Sequence, residues 1–152
     1  MKNTILIIEN DVVLMGIYKE ILELYDYDVH TASNGAEGVE KFKQVKPSLV
    51  IMEVDTCGFD VFKKIKEIEK NANVIIVTMD LEFESKNQEA FNQEPIKVIL
   101  KPILVKEILN LAKKYVKNKL EKRLDYAEDV MLELTLKTDK FLKNFNEKLT
   151  SN

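Results

Sequence analysis

Five short runs rich in branched or apolar residues recur through the first hundred positions, and between them apolar residues return every three or four places. The runs are Thr4–Ile8 (TILII), Asp28–Ala32 (DVHTA), Leu49–Met52 (LVIM), Val74–Thr78 (VIIVT) and Lys97–Leu100 (KVIL). A continuous apolar run such as TILII or VIIVT suits a strand covered on both faces. Asp11 to Tyr25 carries Val13, Ile17, Ile21 and Leu24 at helical spacing. Ala36 to Val45 carries Val39, Phe42 and Val45 and is ended by Pro47, and Phe59 to Lys70 carries Phe62, Ile65 and Ile68. Leu81 to Gln93 is acidic and weakly periodic, a poor helix at best. Strands alternating with helices predict right-handed crossovers and an α/β fold, a parallel sheet between two helical layers. In doubly wound sheets the chemistry sits at the carboxyl ends of the strands.

Size and composition narrow the class. A chain of 152 residues, 45% hydrophobic and 32% charged, is long enough for one full core and one extra element. No apolar run approaches a membrane span, and Glu9 and Asp11 cut the first run too short for a signal peptide. The single cysteine, Cys57, rules out an internal disulfide and fits the reducing cytoplasm. Residues 1–102 hold 12 Lys and Arg against 18 Asp and Glu, and the remainder 11 against 8, so an acidic body precedes a mildly basic tail. The net charge of −3 argues against nucleic acid as the main partner.

The strand ends supply Glu9-Asn10-Asp11, Glu53, Thr78 and Lys101-Pro102. Clustered carboxylates hold hard cations such as Mg²⁺. A lysine and a hydroxyl suit the spread negative charge of a phosphoryl group. Each residue alone is bland; their order and spacing carry the information.

Residues from about 4 to 116 resemble the receiver domain of two-component response regulators, through ILIIEND, SNGAEGVE, PSLVIMEVDTCGFDVF, VIIVT and ILKP. The resemblance implies a five-stranded parallel, flavodoxin-like sheet in the order 2-1-3-4-5. It implies an acidic pair and an acceptor aspartate that hold Mg²⁺, with the acceptor phosphorylated by a histidine kinase. It also implies a hydroxyl and a lysine on the phosphate, and an aromatic switch residue near the lysine.

The departures are as informative as the matches. Glu9 and Asn10 lie where the family has its acidic pair, and Asn10 removes a charge from the metal position. Glu53 falls on the acceptor, and Val98 on the switch aromatic. Asp55 falls where a backbone carbonyl completes the metal shell, so its side chain need not take part. Thr78 and Lys101 are retained. One extra methylene displaces a carboxylate by about 1.5 Å, and a misplacement near 1 Å costs on the order of a hundredfold in transfer. A weakened Mg²⁺ compounds the loss.

The expectation is a receiver that is no enzyme, requires no cofactor, binds Mg²⁺ weakly or not at all, and is not phosphorylated by a histidine kinase. A Glu53–Lys101 ion pair is expected to hold its site in one fixed state. The rival expectations are a working response regulator carrying phosphoryl at residue 53, and a DNA-binding regulator.

The tail extends the reading. The receiver-like part is expected to fill residues 1–117, its last helix running from about Leu104 to Lys117, with a helical extension over 118–152. Leu120, Leu124, Ala127, Met131, Leu134, Thr138, Phe141 and Phe145 step alternately by four and three, a heptad stripe that predicts homodimerisation through 118–149 or capture of another protein. The stripe shifts phase near 117, and Asp125 with Glu128 resembles a capping box, so the helix either breaks near Leu124 or runs unbroken from 104 to 148. The basic cluster Lys113, Lys114, Lys117, Lys119, Lys122 and Arg123 is the basis of the DNA reading. Glu121 interrupts it and no aromatic interleaving or glycine hinge accompanies it, so it reads better as a solvated face. His30 has no second histidine near it, and Cys57 has no basic neighbour to activate it.

Overall fold

The computed structural model of the chain describes residues 3–116 and 121–151, the side chains of 121–127 excepted. Five parallel strands, β1 (Thr4–Ile8), β2 (Asp28–Ala32), β3 (Leu49–Glu53), β4 (Val74–Thr78) and β5 (Lys97–Leu100), lie in the order β2-β1-β3-β4-β5. This is the expected doubly wound sheet. Strands β1, β3 and β4 are buried along their whole length, which is why their sequences show no polar alternation.

Alternation along the strands divides the core. On one face Leu6, Ile8, Val50, Met52, Val74 and Ile76 meet Phe42 of α2 (Gly35–Val45) and Val61, Phe62 and Ile65 of α4 (Phe59–Ile68). Helices α2 and α4 pack on each other, and they do so closely at Gly35, where an added Cβ would fall 2.4 Å from a Val61 methyl and 3.0 Å from the Cys57 carbonyl. Helix α1 (Val12–Leu24) and helix α7 (Val105–Tyr115) pack together. α1 buries Tyr18 and Leu22, and α7 buries Ile108, Leu109, Leu111 and Ala112.

In α1 the buried stripe is not the one periodicity suggests. Val13 is 71% exposed, Leu24 76% and Ile17 44%, because Tyr18 and Leu22, one step round the helix, face inward. Helix starts follow local chemistry more faithfully. Asp11 caps α1, accepting from the Val13 and Leu14 amides at 3.0 and 3.1 Å. Asn34 caps α2 through the Glu37 amide at 2.9 Å, while the Glu37 carboxylate takes the Ser33 amide at 3.0 Å. That bond, with Lys41 beside it, holds the Glu37 carboxyl below its ordinary pKa.

The weakly periodic segment forms two short helices, α5 (Phe83–Lys86) and α6 (Gln88–Gln93). Aromatic packing anchors them: Phe83 meets Phe59 edge-on at 5.4 Å and Phe91 at 6.2 Å.

The chain divides into two compact units, residues 1–118 and 119–152. The second contains α8 (Glu121–Thr150), 30 residues or about 45 Å of helix. Of the two alternatives for the tail, the break near Leu124 is absent, since α8 runs through that position. A single helix from 104 to 148 is absent too: α7 ends at Tyr115, and Val116 turns to extended backbone at φ −114 and ψ 107. Val116 is buried there, so the last inward apolar residue of the receiver leaves the helix as the apolar stripe changes phase. Lys117, Lys119 and Leu120, and the side chains of Lys122, Arg123, Leu124, Asp125 and Ala127, lie outside the described residues. Among the described residues no helix is long and apolar enough to cross a membrane.

Candidate functional site

The carboxyl ends of β1, β3, β4 and β5 bring the predicted residues to one edge of the sheet. Glu9, Glu53 and Thr78 are each at most 2% exposed, while Asn10 and Asp55 face solvent. Buried carboxylates require partners. The partners the structure provides differ from those expected.

Lys101 pairs with Glu9, not Glu53: its Nζ lies 3.2 Å from Glu9 Oε2, with side chains 16% and 3% exposed. Glu9 Oε1 takes the Asp11 amide at 3.1 Å, so both oxygens of Glu9 are engaged. The Glu53 carboxylate folds onto its own turn. Its Oε1 accepts from the Asp55 and Thr56 amides at 2.7 and 3.2 Å, and Oε2 takes the Thr56 hydroxyl. Glu53 thus caps α3 (Val54–Cys57), a single turn following β3. Local geometry decides this outcome. Two unsatisfied amides two and three residues ahead lie within reach of a glutamate at a strand-to-helix turn, and satisfying them there requires no distant partner.

Asp55, expected at the metal shell without its side chain taking part, uses that side chain elsewhere. Its Oδ1 accepts the Thr78 hydroxyl and its Oδ2 the Met79 amide at 2.8 Å, bridging the turn after β3 to the segment after β4. Local spacing gave no signal for this, since the Thr78 hydroxyl and the Met79 amide lie 23 and 24 residues further along the chain. Val98 is half-buried against the cluster of Ile76 and Phe83, with no ring or hydroxyl to turn toward the strand ends.

The donor set does not fit a hard dication. Both Glu9 oxygens are occupied, Asn10 is neutral, and Asp55 is turned toward Thr78 and Met79. Among the described residues no group of three or more His, Cys, Asp or Glu is placed to hold a metal ion. His30 sits at the middle of β2 and lies 3.3 Å from Asp28, which begins that strand at the end away from the site.

Two neighbouring groups register the negative field. Partial burial pushes the Cys57 thiol above its ordinary pKa, and the Glu53 charge, with Oε2 3.9 Å from Sγ, adds to the rise. Burial likewise raises the Tyr18 phenol, with Glu9 adding to it and Lys101 opposing. Cys57 is therefore a thiol at neutral pH, and iodoacetamide is expected to alkylate it more slowly than a free small-molecule thiol. Glu53→Gln should accelerate that alkylation several-fold when followed by intact mass. Equal rates in the two proteins would show that the Glu53 charge does not reach the sulfur.

Residues 5–113 match the family model described as the response regulator receiver domain. The chain is 32% identical over 110 residues to the chemotaxis protein CheY of Thermotoga maritima, covering 70% of this chain and 87% of that one. It is 28% identical over 122 residues to sporulation initiation phosphotransferase F of Bacillus subtilis, covering 76% and 94% respectively. The chemotaxis protein CheY4 of Vibrio cholerae has the same fold, with a TM-score of 0.67 at 19% identity over 76% of this chain and 100% of that one. By the match over residues 5–113, the chain belongs to the receiver domain family of two-component response regulators.

Proposed function

We propose that this receiver acts by binding other proteins, without taking a phosphoryl group, and that it dimerises through α8. The observation that carries the first part is the commitment of Glu53. The carboxylate at the acceptor position is folded onto the Asp55 and Thr56 amides, at 2.7 and 3.2 Å, instead of standing free for in-line attack. Lys101 is spent on Glu9, and the neutral Asn10 leaves Mg²⁺ weak or absent at the position where transfer needs it. Such a domain regulates through the surface it presents rather than by catalysis. A histidine kinase is then at most a docking partner.

Dimerisation is supported by the exposed apolar seam of α8. Met131, Leu134, Phe141, Leu142, Phe145 and Leu149 are 49–66% exposed and fall within about a third of the helix circumference. Thr138, on the same stripe, satisfies its hydroxyl on the Leu134 carbonyl at 2.9 Å and so can enter a seam without an unpaired donor. The DNA-binding alternative gains no support from the described part of the basic cluster, where Lys114 lies over the Tyr115 ring at 5.2 Å.

The test of the first part is exposure of the full chain to acetyl phosphate with Mg²⁺, followed by intact mass and peptide mapping. No phosphoryl gain at residue 53 is expected; a metal-dependent gain there would restore the working-regulator reading.

A further inference from the structure

The Asp55 carboxylate takes the hydroxyl of Thr78, the residue that the family resemblance would set against a phosphoryl group. We propose that Asp55 stands in for the phosphoryl group, keeping the Thr78 hydroxyl and the Met79 amide permanently engaged by an anion that belongs to the chain. A carboxylate and a phosphoryl group both offer divergent anionic oxygens to paired donors. Here each oxygen takes one donor, Oδ1 the buried hydroxyl of Thr78 and Oδ2 the amide of Met79 at 2.8 Å.

Thr78 Oγ1 also accepts the Asp80 amide at 3.0 Å, so its hydrogen is committed to Asp55 and three consecutive residues are fixed together. Three positions past Asp80, Phe83 is buried against Phe59 and Phe91. The segment after β4 is thus pinned at both ends, and between the pins it presents Met79 and Leu81, 73% and 82% exposed. An anion-dependent arrangement becomes a constitutive one, with the displayed apolar pair held in place whether or not phosphate is available. The inference rests on the reading of a receiver that takes no phosphoryl group, and it adds how the state of such a receiver is set.

The experiment is amide hydrogen exchange of the full, ¹⁵N-labelled chain. Asp55→Ala should accelerate exchange at Met79 by about 10- to 100-fold, as expected for loss of a hydrogen bond to a charged acceptor. The Ile76 amide in β4 should stay as in the parent, showing that the fold is intact. Asp55→Asn, which keeps the shape and one acceptor oxygen, should give a smaller acceleration. Saturating inorganic phosphate should slow Met79 exchange again in Asp55→Ala and leave the parent protein unchanged. Unchanged Met79 exchange in both variants, or failure of phosphate to slow it in Asp55→Ala, would overturn the assignment. Phosphorylation of the parent at residue 53 would instead overturn the reading on which the inference rests, and acetyl phosphate labelling reports that independently.

Discussion

Lys101→Met should lower the stability of the chain by about 3–5 kcal/mol, the loss typical of breaking a buried ion pair from one side. Methionine keeps the length and much of the packing of the lysine stem, so the change removes charge rather than volume. Glu9 would be left with its side chain 3% exposed and without its cation. Only the Asp11 amide, at 3.1 Å, would remain on it. The double change Glu9→Gln with Lys101→Met should recover most of the loss, because exchanging both members of a buried pair is often close to neutral. Urea unfolding of the three proteins measures this, read as a shift in midpoint at unchanged slope. A loss below about 1 kcal/mol in the single variant would mean that the pair is solvated like a surface bridge.

Shortening the chain to residues 1–117 should convert a dimer to a monomer, as read by sedimentation or light scattering. Six seam side chains of α8 stand 49–66% exposed, and each contributes about 1.5–3 kcal/mol when fully buried. Together they are of the size needed to offset an association cost of about 4–15 kcal/mol. A helix of 30 residues with such a seam exposed is poorly satisfied in water. Phe141→Glu in the full chain should have the same effect, because it places a charge beside Phe145, whose ring stacks on Phe141 at 6.3 Å. Equal monomeric masses for the full and shortened chains would remove the seam from the account.

What was legible in the sequence was what local chemistry decides. VIIVT and TILII are strands because branched apolar residues bounded by polar ones can be buried on both faces, and their bounds match the observed β4 and β1. The helix beginning at Asp11 was legible as well, whereas the caps that start α1 and α2, Asp11 and Asn34, were found only in the structure. The buried stripe of α1 was not legible, because Val12, Val13, Leu14, Met15 and Ile17 make its first turns apolar on several faces and periodicity cannot choose among them. Nor were α5 and α6, which depend on Phe83 meeting the distant Phe59 and on Phe91 meeting Phe83.

At the site, the positions were legible through the family resemblance, but the pairing was not. Lys101 had two acids to choose from, and the geometry of the β3 turn settled the matter by giving Glu53 amides of its own. Asp55 was set aside because its position suggested a backbone role, whereas its exposed carboxylate proves to be what links two strand ends.

The central claim is that the donors for an incoming phosphoryl group already belong to Glu9, Glu53 and Asp55. Beryllium fluoride with Mg²⁺, a small tetrahedral mimic of a bound phosphoryl group, addresses it in one titration of the ¹⁵N-labelled full chain. Resonances of Thr78, Met79 and the Asp55 and Thr56 amides should stay in place throughout. A saturable, magnesium-dependent movement of those same resonances would show that the pocket opens to an outside ligand, and would contradict the account.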